Sequence, residues 1–309
     1  MANIAFIIGN GFDVDLGLPS KYSQFIKGKE WADVLKTTES RRIVDEYSKH
    51  SLIQHLMMSA LLDPNWFDIE KEIDNFVVSH PNCSDDDVMD IKNDYLLLTH
   101  ALTSYLKRIT DGFLPNRDKL SYKVMKSVLS APHNKSIINF NYTDPLLCMK
   151  SSGTWNGGEM TFVHGDVRSD NIVIGCDARK DHFNRQLSFL YKYNNTKGAN
   201  HINKNLEFAK EVIIFGHSIN DIDFCYFKNL FEACATKREP ARNLTIFTWN
   251  EKNAQTILDN IQEHGIPVTD LKSRLLGFDI ICSELFYKGD NETLDLWASF
   301  QKRLDSKWQ

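Results

Sequence analysis

The sequence has no long hydrophobic run and no recognisable leader segment. Its longest apolar runs, such as Ile4–Ile8 and Val212–Phe215, have the length of a buried strand, whereas a membrane-spanning helix needs about 20 apolar residues. The N-terminus lacks the basic segment and cleavage site of a secretory signal. These absences predict a cytoplasmic protein that does not enter a membrane.

Excess positive charge and closely spaced cysteines are also missing. There are 36 Lys and Arg against 41 Asp and Glu, a net charge of −5, which argues against nucleic acid as the partner because no general positive field attracts phosphate groups. The six cysteines form no C-x-x-C pair and no H-E-x-x-H occurs, so no metal site is predicted.

What is present suits one large or two modest globular domains, since 42% of the 309 residues are hydrophobic and 25% are charged. The run Asn3–Ile8 predicts a central buried strand. Strand patterns resume at Ser136–Phe140, Met160–His164, Ile172–Gly175, Glu211–Phe215 and Leu244–Trp249. Helical patterns are found at Asp223–Ala235, Asn253–His264 and Glu292–Trp308.

Residues 24–118 have apolar residues at helical spacing and almost no strand patterns. We therefore expect a helical insertion or cap at 24–118, and an α/β core formed by residues 1–23 and 119–309. Because strands alternate with helices in this core, its sheet should be mostly parallel and flanked by helices. The Asn- and Lys-rich stretch Lys192–Asn205 predicts a loop or a mobile lid.

Polar residues and glycines follow five of the predicted strands. These segments are GNGFD at 9–13, NFNYTD at 139–144, VHGD at 163–166, GHSIND at 216–221 and WNEKN at 249–253. In parallel α/β sheets, ligands bind beyond the carboxyl ends of the strands. The convergence of the five segments at that edge predicts a ligand site.

Two of these segments contain glycines that allow two interpretations. Gly9 and Gly11 can let the backbone approach a phosphate or simply permit a tight turn. Neither a complete G-x-G-x-x-G fingerprint nor a Walker A loop is present. Gly216-His217-Ser218 lacks the second glycine of a nucleophile elbow, so a grip on phosphate or ribose is favoured over a serine hydrolase.

The remaining candidates carry side-chain chemistry. The Asn141 amide can hold a water or a ribose hydroxyl, whereas Asp144 before Pro145 is equally typical of a turn or a helix cap, and for both the structural interpretation is favoured. His164 is suited to general-base catalysis, although a single histidine is as often structural. Asp68 is expected to lie on a solvated helix start, and the role of Glu70 stays open.

Taken together, the motifs resemble the AbiH family of bacterial phage abortive-infection proteins. The resembling segments are Ile7–Asp13 with Gly17-Leu18-Pro19 and Tyr22-Ser23, Trp66–Glu70, Asn139–Thr143, Val163–Gly165, and Ile214–Ser218 with Asp221 and Asp223. The resemblance implies an antiviral defence role in the bacterial cytoplasm.

AbiH proteins are in turn distantly similar to sirtuin-like NAD-consuming domains, which have a Rossmann-like fold. Gly9-Asn10-Gly11 resembles the sirtuin G-A-G loop, and the segment 140–144 resembles the T-Q-N-[IV]-D segment. His164-Gly165 resembles the catalytic H-G, Gly216–Ser218 resembles the G-T-S loop, and Asn250 resembles a ribose-binding Asn. By this resemblance Asn141 and His164 are the catalytic pair.

The zinc module of sirtuin deacylases is missing, so the resemblance implies NAD hydrolysis or ADP-ribose transfer rather than deacylation. Asp13 or Asp144 would stabilise the cationic sugar that forms when nicotinamide leaves. The residues expected to contact NAD are Gly9, Asn10, Gly11, Phe12, Thr143, Asp144, Gly216, His217, Ser218 and Asn250.

Other function classes stay open. The same crevice can serve a binding module that senses a nucleotide or a phage product and acts through a partner. A nuclease suits a defence protein, but the acidic balance argues against it. An active NAD hydrolase would harm its host, so we expect control by homo-oligomerisation, a regulatory partner or a phage trigger, acting through residues 24–118.

Overall fold

The computed structural model describes residues 3–44, 51–65, 67–149, 158–176, 183–192, 199–236 and 242–306. The chain forms two compact units. Unit 1 comprises Met1–Leu18, Leu114–Val163 and Gly198–Gln309, and unit 2 comprises Pro19–Phe113 and His164–Lys197. This division differs from the predicted one by placing 164–197 with the helical unit rather than with the α/β core.

Unit 1 contains a six-stranded sheet. Its strands are β1 (Ile4–Ile8), β2 (Lys135–Asn139), β3 (Glu159–Phe162), β4 (Glu211–Phe215), β5 (Asn243–Thr248) and β6 (Gly277–Cys282). The order is β3-β2-β1-β4-β5-β6, and every neighbouring pair is parallel. The predicted Rossmann-like α/β architecture is confirmed, and the strand order reverses between β1 and β4, where such sheets bind ligands.

The helices, in chain order, are α1 (Asn10–Leu16), α2 (Tyr22–Phe25), α3 (Lys29–Val44), α4 (Leu52–Leu62), α5 (Ile69–Ser79), α6 (Asp85–Thr110), α7 (Leu120–Ser130), α8 (Pro145–Cys148), α9 (Ala199–Phe208), α10 (Phe224–Ala235), α11 (Glu251–Glu263), α12 (Val268–Arg274), α13 (Ser283–Lys288) and α14 (Asn291–Asp305). Helices α2–α6 belong to unit 2, together with a short 3-10 helix at Ser188–Leu190.

The central position of β1 follows from its sequence. All five of its residues are buried, and Ile7 pairs in register with Ile138 of β2 and Ile214 of β4. An uninterrupted apolar strand is typical of a parallel sheet covered on both faces. Each fully buried side chain of this kind stabilises the fold by about 1.5–3 kcal/mol. Strand β1 lies between β2 and β4 in the sheet, which confirms the predicted central strand.

Aromatic side chains pack against the sheet from two helices. Phe227 and Phe231 of α10 are fully buried in the same cluster as Ile7, and their spacing places them on one face of that helix. The ring of Phe247 on β5 contacts Phe300 of α14, with centroids 5.1 Å apart. These contacts attach the predicted helices 223–235 and 292–308 to the core.

Unit 2 is helical between residues 19 and 113, with no strand in the parts of that range that are described. Ser51 and Ser84 cap α4 and α6. The stretch 164–197 joins these helices through side-chain bonds. The Tyr95 hydroxyl donates to the carbonyl of Ile174 at 2.9 Å, and the Asn184 amide donates to that of His80 at 2.8 Å.

Two local predictions were wrong, and one strand is present where none was predicted. Ile172–Gly175 is not a strand, and only an isolated bridge between Cys176 and Tyr191 follows it. Strand β6 was not predicted, because Asp279 interrupts its apolar pattern. Within the predicted loop Lys192–Asn205, residues from Ala199 onward belong to α9, since buried Ile202 and Leu206 provide a helical apolar face, and 193–198 lie outside the described residues.

Candidate functional site

The turn after β1 packs tightly against the turn after β4. The amides of Gly9 and Gly11 donate to the carbonyls of Phe215 and Gly216, both at 2.9 Å. A Cβ atom on Gly11 would lie 2.6 Å from the Cα of Gly216, which itself has a φ of +65°. This close approach explains the glycines, and a phosphate bound here would need donors other than these two amides.

The start of α1 carries a buried carboxylate, Asp13, which is 1% exposed. Its Oδ2 accepts a short bond of 2.5 Å from the Thr143 hydroxyl. Its Oδ1 has no hydrogen bond of normal geometry to any described residue. Burial raises the pKa of Asp13 to about 6, although the Thr143 and Asn141 side chains lower it. A carboxylate with this pKa can exchange a proton near neutral pH.

The turn after β2 brings Asn141 and Thr143 to this carboxylate. Asn139, which is fully buried at the end of β2, donates from Nδ2 to the carbonyl of Thr143 at 2.8 Å. Its Oδ1 accepts the amide of Asn141 at 3.0 Å. The side-chain amide of Asn141 then donates to the carbonyl of Gly9 at 3.1 Å. Three predicted site residues, Asp13, Asn141 and Thr143, therefore lie together.

Asn139 is a supporting residue that sequence reasoning did not single out. The available signal was an amide at the last position of an otherwise apolar strand. Such a buried polar group must be hydrogen-bonded, and the bonds that it makes shape the turn carrying Asn141.

His217 is buried in unit 1 beside the turn after β4. Its Nδ1 accepts the amide of Ile219 at 2.9 Å, and its Nε2 lies 3.5 Å from Oδ2 of Asp223. The ring lies against Phe140 and Phe227, with centroids 4.3 and 4.9 Å away. Both ring nitrogens thus face groups of the protein itself, so a role in contacting NAD stays a prediction.

Three other predicted ligand contacts have structural partners. Asp144 caps α8 by accepting the amides of Leu146 and Leu147 at 2.9 and 3.3 Å. Asn250 caps α11 through the amide of Asn253 at 3.0 Å. Phe12 is fully buried against Phe215. Asn10 and Ser218, in contrast, are exposed.

His164 follows β3 by two residues, and the predicted strand Met160–His164 therefore ends earlier, at Phe162. The histidine is 2% exposed, and its carbonyl accepts the amide of Val173 at 2.8 Å. It is the first residue of its segment of unit 2, whereas Asn141 belongs to unit 1. The catalytic pairing of these two residues stays a prediction.

The comparison with protein families decides the identity of the chain. Residues 5–243 match the family described as bacteriophage abortive infection AbiH. The chain belongs to the AbiH family. The match runs from β1 to the start of β5 and includes the whole Asp13 cluster, and it supports a role in phage abortive infection. No curated protein and no solved structure gave a significant match.

Unit 2 of this AbiH protein holds a separate charged cluster around Glu70. Its Oε2 accepts a bond from Lys192 Nζ at 2.7 Å, and its Oε1 accepts one from the Tyr22 hydroxyl at 3.1 Å. The side chains of Lys192 and Glu70 are only 6% and 12% exposed. Asp68 caps α5 by accepting the amide of Glu70 at 3.0 Å, and Trp66 lies outside the described residues.

The described ranges of the AbiH chain contain neither a metal-binding cluster nor a membrane-spanning helix. Within the described ranges, no group of three or more His, Cys, Asp and Glu residues is placed to hold a metal ion. In the same ranges, no helix has the length and apolar character that a bilayer crossing requires.

Proposed function

We propose that this AbiH-family protein acts in phage defence by cleaving NAD at the bond between nicotinamide and ribose, with Asp13 and Asn141 at the reacting centre. The observation that carries the proposal is the state of Asp13. It combines deep burial, a pKa raised to about 6 and one carboxylate oxygen that makes no hydrogen bond of normal geometry to a described residue. Such perturbed carboxylates are typical of functional sites.

The chemistry of the bond explains why a carboxylate is useful. The electron pair of the breaking bond goes to the nicotinamide nitrogen, which becomes neutral, and positive charge develops on the ribose. An ionised Asp13 held in a water-poor site stabilises that charge more strongly than water would. The oxygen of a water molecule then bonds to the sugar carbon, and its proton passes to a base.

Asn141 suits the orientation of that water. Its Nδ2 donates to the Gly9 carbonyl, which fixes the plane of the amide, and its Oδ1 is of the type that accepts from water or a ribose hydroxyl. The Thr143 hydroxyl holds the other oxygen of Asp13 in place. For the base, the resemblance to sirtuins assigns His164.

The test is incubation of the purified protein with NAD, with nicotinamide release measured by chromatography. The variants are Asp13→Asn, Asn141→Ala and His164→Ala. Losing the base at His164 should lower the rate by about 10²–10⁴-fold, and losing the negative charge of Asp13 or the orienting amide of Asn141 should lower it by about 10²–10³-fold. The matched control is Asp290→Asn, which changes a carboxylate that only caps α14 through Thr293. Asn caps helices as well as Asp does, so this variant should retain full activity.

If a phage trigger is required, activity should appear in infected cells, so NAD is also measured in infected cells that express the wild type or Asp13→Asn. Loss of NAD in the cells with the wild type, but not in those with Asp13→Asn, supports the proposal. Binding of NAD without cleavage in either setting would favour the sensing module instead. Absence of both binding and depletion would overturn the NAD assignment.

A further inference from the structure

The turn after β4 contains two residues with left-handed backbone conformation. Gly216 has a φ of +65° and Ile219 a φ of +51°. Glycine adopts this conformation readily, but a β-branched residue does so at a cost of about 1–2 kcal/mol. Ile219 is fully buried, so surrounding groups must hold it in this conformation.

One of the groups that hold it is His217. Its Nδ1 accepts the Ile219 amide two residues further along the chain, a bond that requires a neutral ring protonated at Nε2. The Nε2 atom faces Asp223, and Phe140 and Phe227, which stack on each other, pack against the ring. The side chain is thus oriented by contacts on several sides, and its acceptor atom is directed at the strained residue.

The same turn supports the two segments that carry the Asp13 cluster. The carbonyl of Gly216 accepts the Gly11 amide in the first turn of α1. A Cβ atom on Gly9 would lie 2.6 Å from the Cα of His217. Phe140, whose ring contacts His217, immediately precedes Asn141. A shift of the turn would therefore be transmitted to both sides of the cluster.

We infer that His217 is a positioning residue for the Asp13 cluster: by holding Ile219 in its left-handed conformation, it sets the turn on which the start of α1 and the turn after β2 rest. This differs from the NAD contact that the sirtuin resemblance implies for His217. The inference rests on the proposed function only for its kinetic consequence.

The test is a matched pair of substitutions, His217→Asn and His217→Gln. The Oδ1 of an Asn occupies nearly the position of Nδ1 and can accept the same amide two residues on. A Gln places its amide near the position of Nε2 and supplies no acceptor for Ile219. A role in packing alone predicts the opposite order, because Asn fills less of the space beside Phe140 and Phe227 than Gln does.

The first readout is hydrogen–deuterium exchange, which needs no activity. Losing one hydrogen bond should speed exchange by about five- to tenfold. We expect this increase at 9–13 and 216–219 in His217→Gln, near wild-type exchange in His217→Asn, and no change in α14 in either variant. Equal exchange in the two variants, or faster exchange confined to 216–219, would overturn the inference.

The second readout is NAD cleavage. A positioning role predicts a lower kcat and an unchanged KM in His217→Gln, with kcat restored in His217→Asn. A direct contact with NAD predicts a higher KM in both variants, and that result would refute the positioning role. If the wild type does not cleave NAD, the proposed function fails, while the exchange measurement still decides the inference about His217.

Discussion

At the scale of single residues, the burial of Asp13 links its ionisation to the stability of the fold. Its pKa of about 6 in the folded protein lies above the ordinary value of 3.8. The folded state therefore binds this proton more tightly than the unfolded chain does. The stabilisation is fully present below about pH 4 and is lost as the pH rises through about 6. Ionisation of Asp13 above that pH costs about 3 kcal/mol of folding free energy.

We therefore expect Asp13→Asn to be more stable than the wild type at pH 8, by up to about 3 kcal/mol. The advantage should shrink as the pH falls from 6 to 4, because the wild-type carboxyl then becomes neutral as well. Thermal unfolding of both proteins at pH 4, 6 and 8 measures this difference. A constant difference at all three values would contradict the raised pKa. The same variant is expected to lose NAD cleavage, so stability and activity should change in opposite directions.

At the scale of secondary-structure elements, the contact between the turns after β1 and β4 is decisive. In parallel sheets, neighbouring strands end at the same edge, so the segments that follow them are crowded together. Here glycines in both segments allow the close approach, with Gly9 and Gly11 facing Gly216. The glycines thus allow the two turns to pack closely, and the buried Asp13 lies in the helix that starts at the first of these turns.

Gly11→Ala should consequently lower the free energy of unfolding by about 3 kcal/mol, because the added methyl group meets backbone atoms that cannot move away cheaply. The comparison variant is Gly17→Ala, whose Cβ would enter open space although its φ is +102°. There we expect a loss of only about 1–2 kcal/mol from backbone strain. Urea unfolding measures both, and wild-type stability of Gly11→Ala would show that the turns can separate.

At the scale of the whole molecule, unit 2 depends on contacts between segments that are far apart in the chain. The ion pair between Glu70 and Lys192 joins α5 to the segment 183–192. Its two residues are 122 positions apart in the chain. Removing one charge of a buried ion pair destabilises the fold, because the other charge stays desolvated without its counter-charge.

Glu70→Gln should accordingly destabilise unit 2 by about 3–5 kcal/mol, since Lys192 stays buried but loses its anionic partner. The double variant Glu70→Gln with Lys192→Met should be less destabilised than Glu70→Gln alone, because the uncompensated charge is gone. Proteolysis and denaturant unfolding measure both variants. A double variant that is no more stable than Glu70→Gln alone would show that the pair is not coupled.

Several elements could be predicted because their signal is local. The bounds of β4 agree with the strand predicted at Glu211–Phe215, and β1 could be placed at the centre of the sheet because all of its residues are apolar. Strand β6 was missed because Asp279 breaks its pattern, and that charge is satisfied by Arg303 of α14 at 2.9 Å. Ile172–Gly175 resembles a strand in sequence, but it has no neighbouring strand to pair with in the described part of the chain.

The sequence by itself determined the AbiH family, the parallel α/β core, the helical character of most of residues 24–118 and the polar segments at the strand ends, because hydrophobic periodicity and motif spacing are properties of neighbouring residues. Tertiary structure alone decided what those polar residues do. Burial raises the pKa of Asp13, although the hydrogen bond from Thr143, 130 positions away, lowers it. The His217 ring packs against aromatic rings from the turn after β2 and from α10. Such properties depend on distance in space, which the order of residues along the chain does not specify.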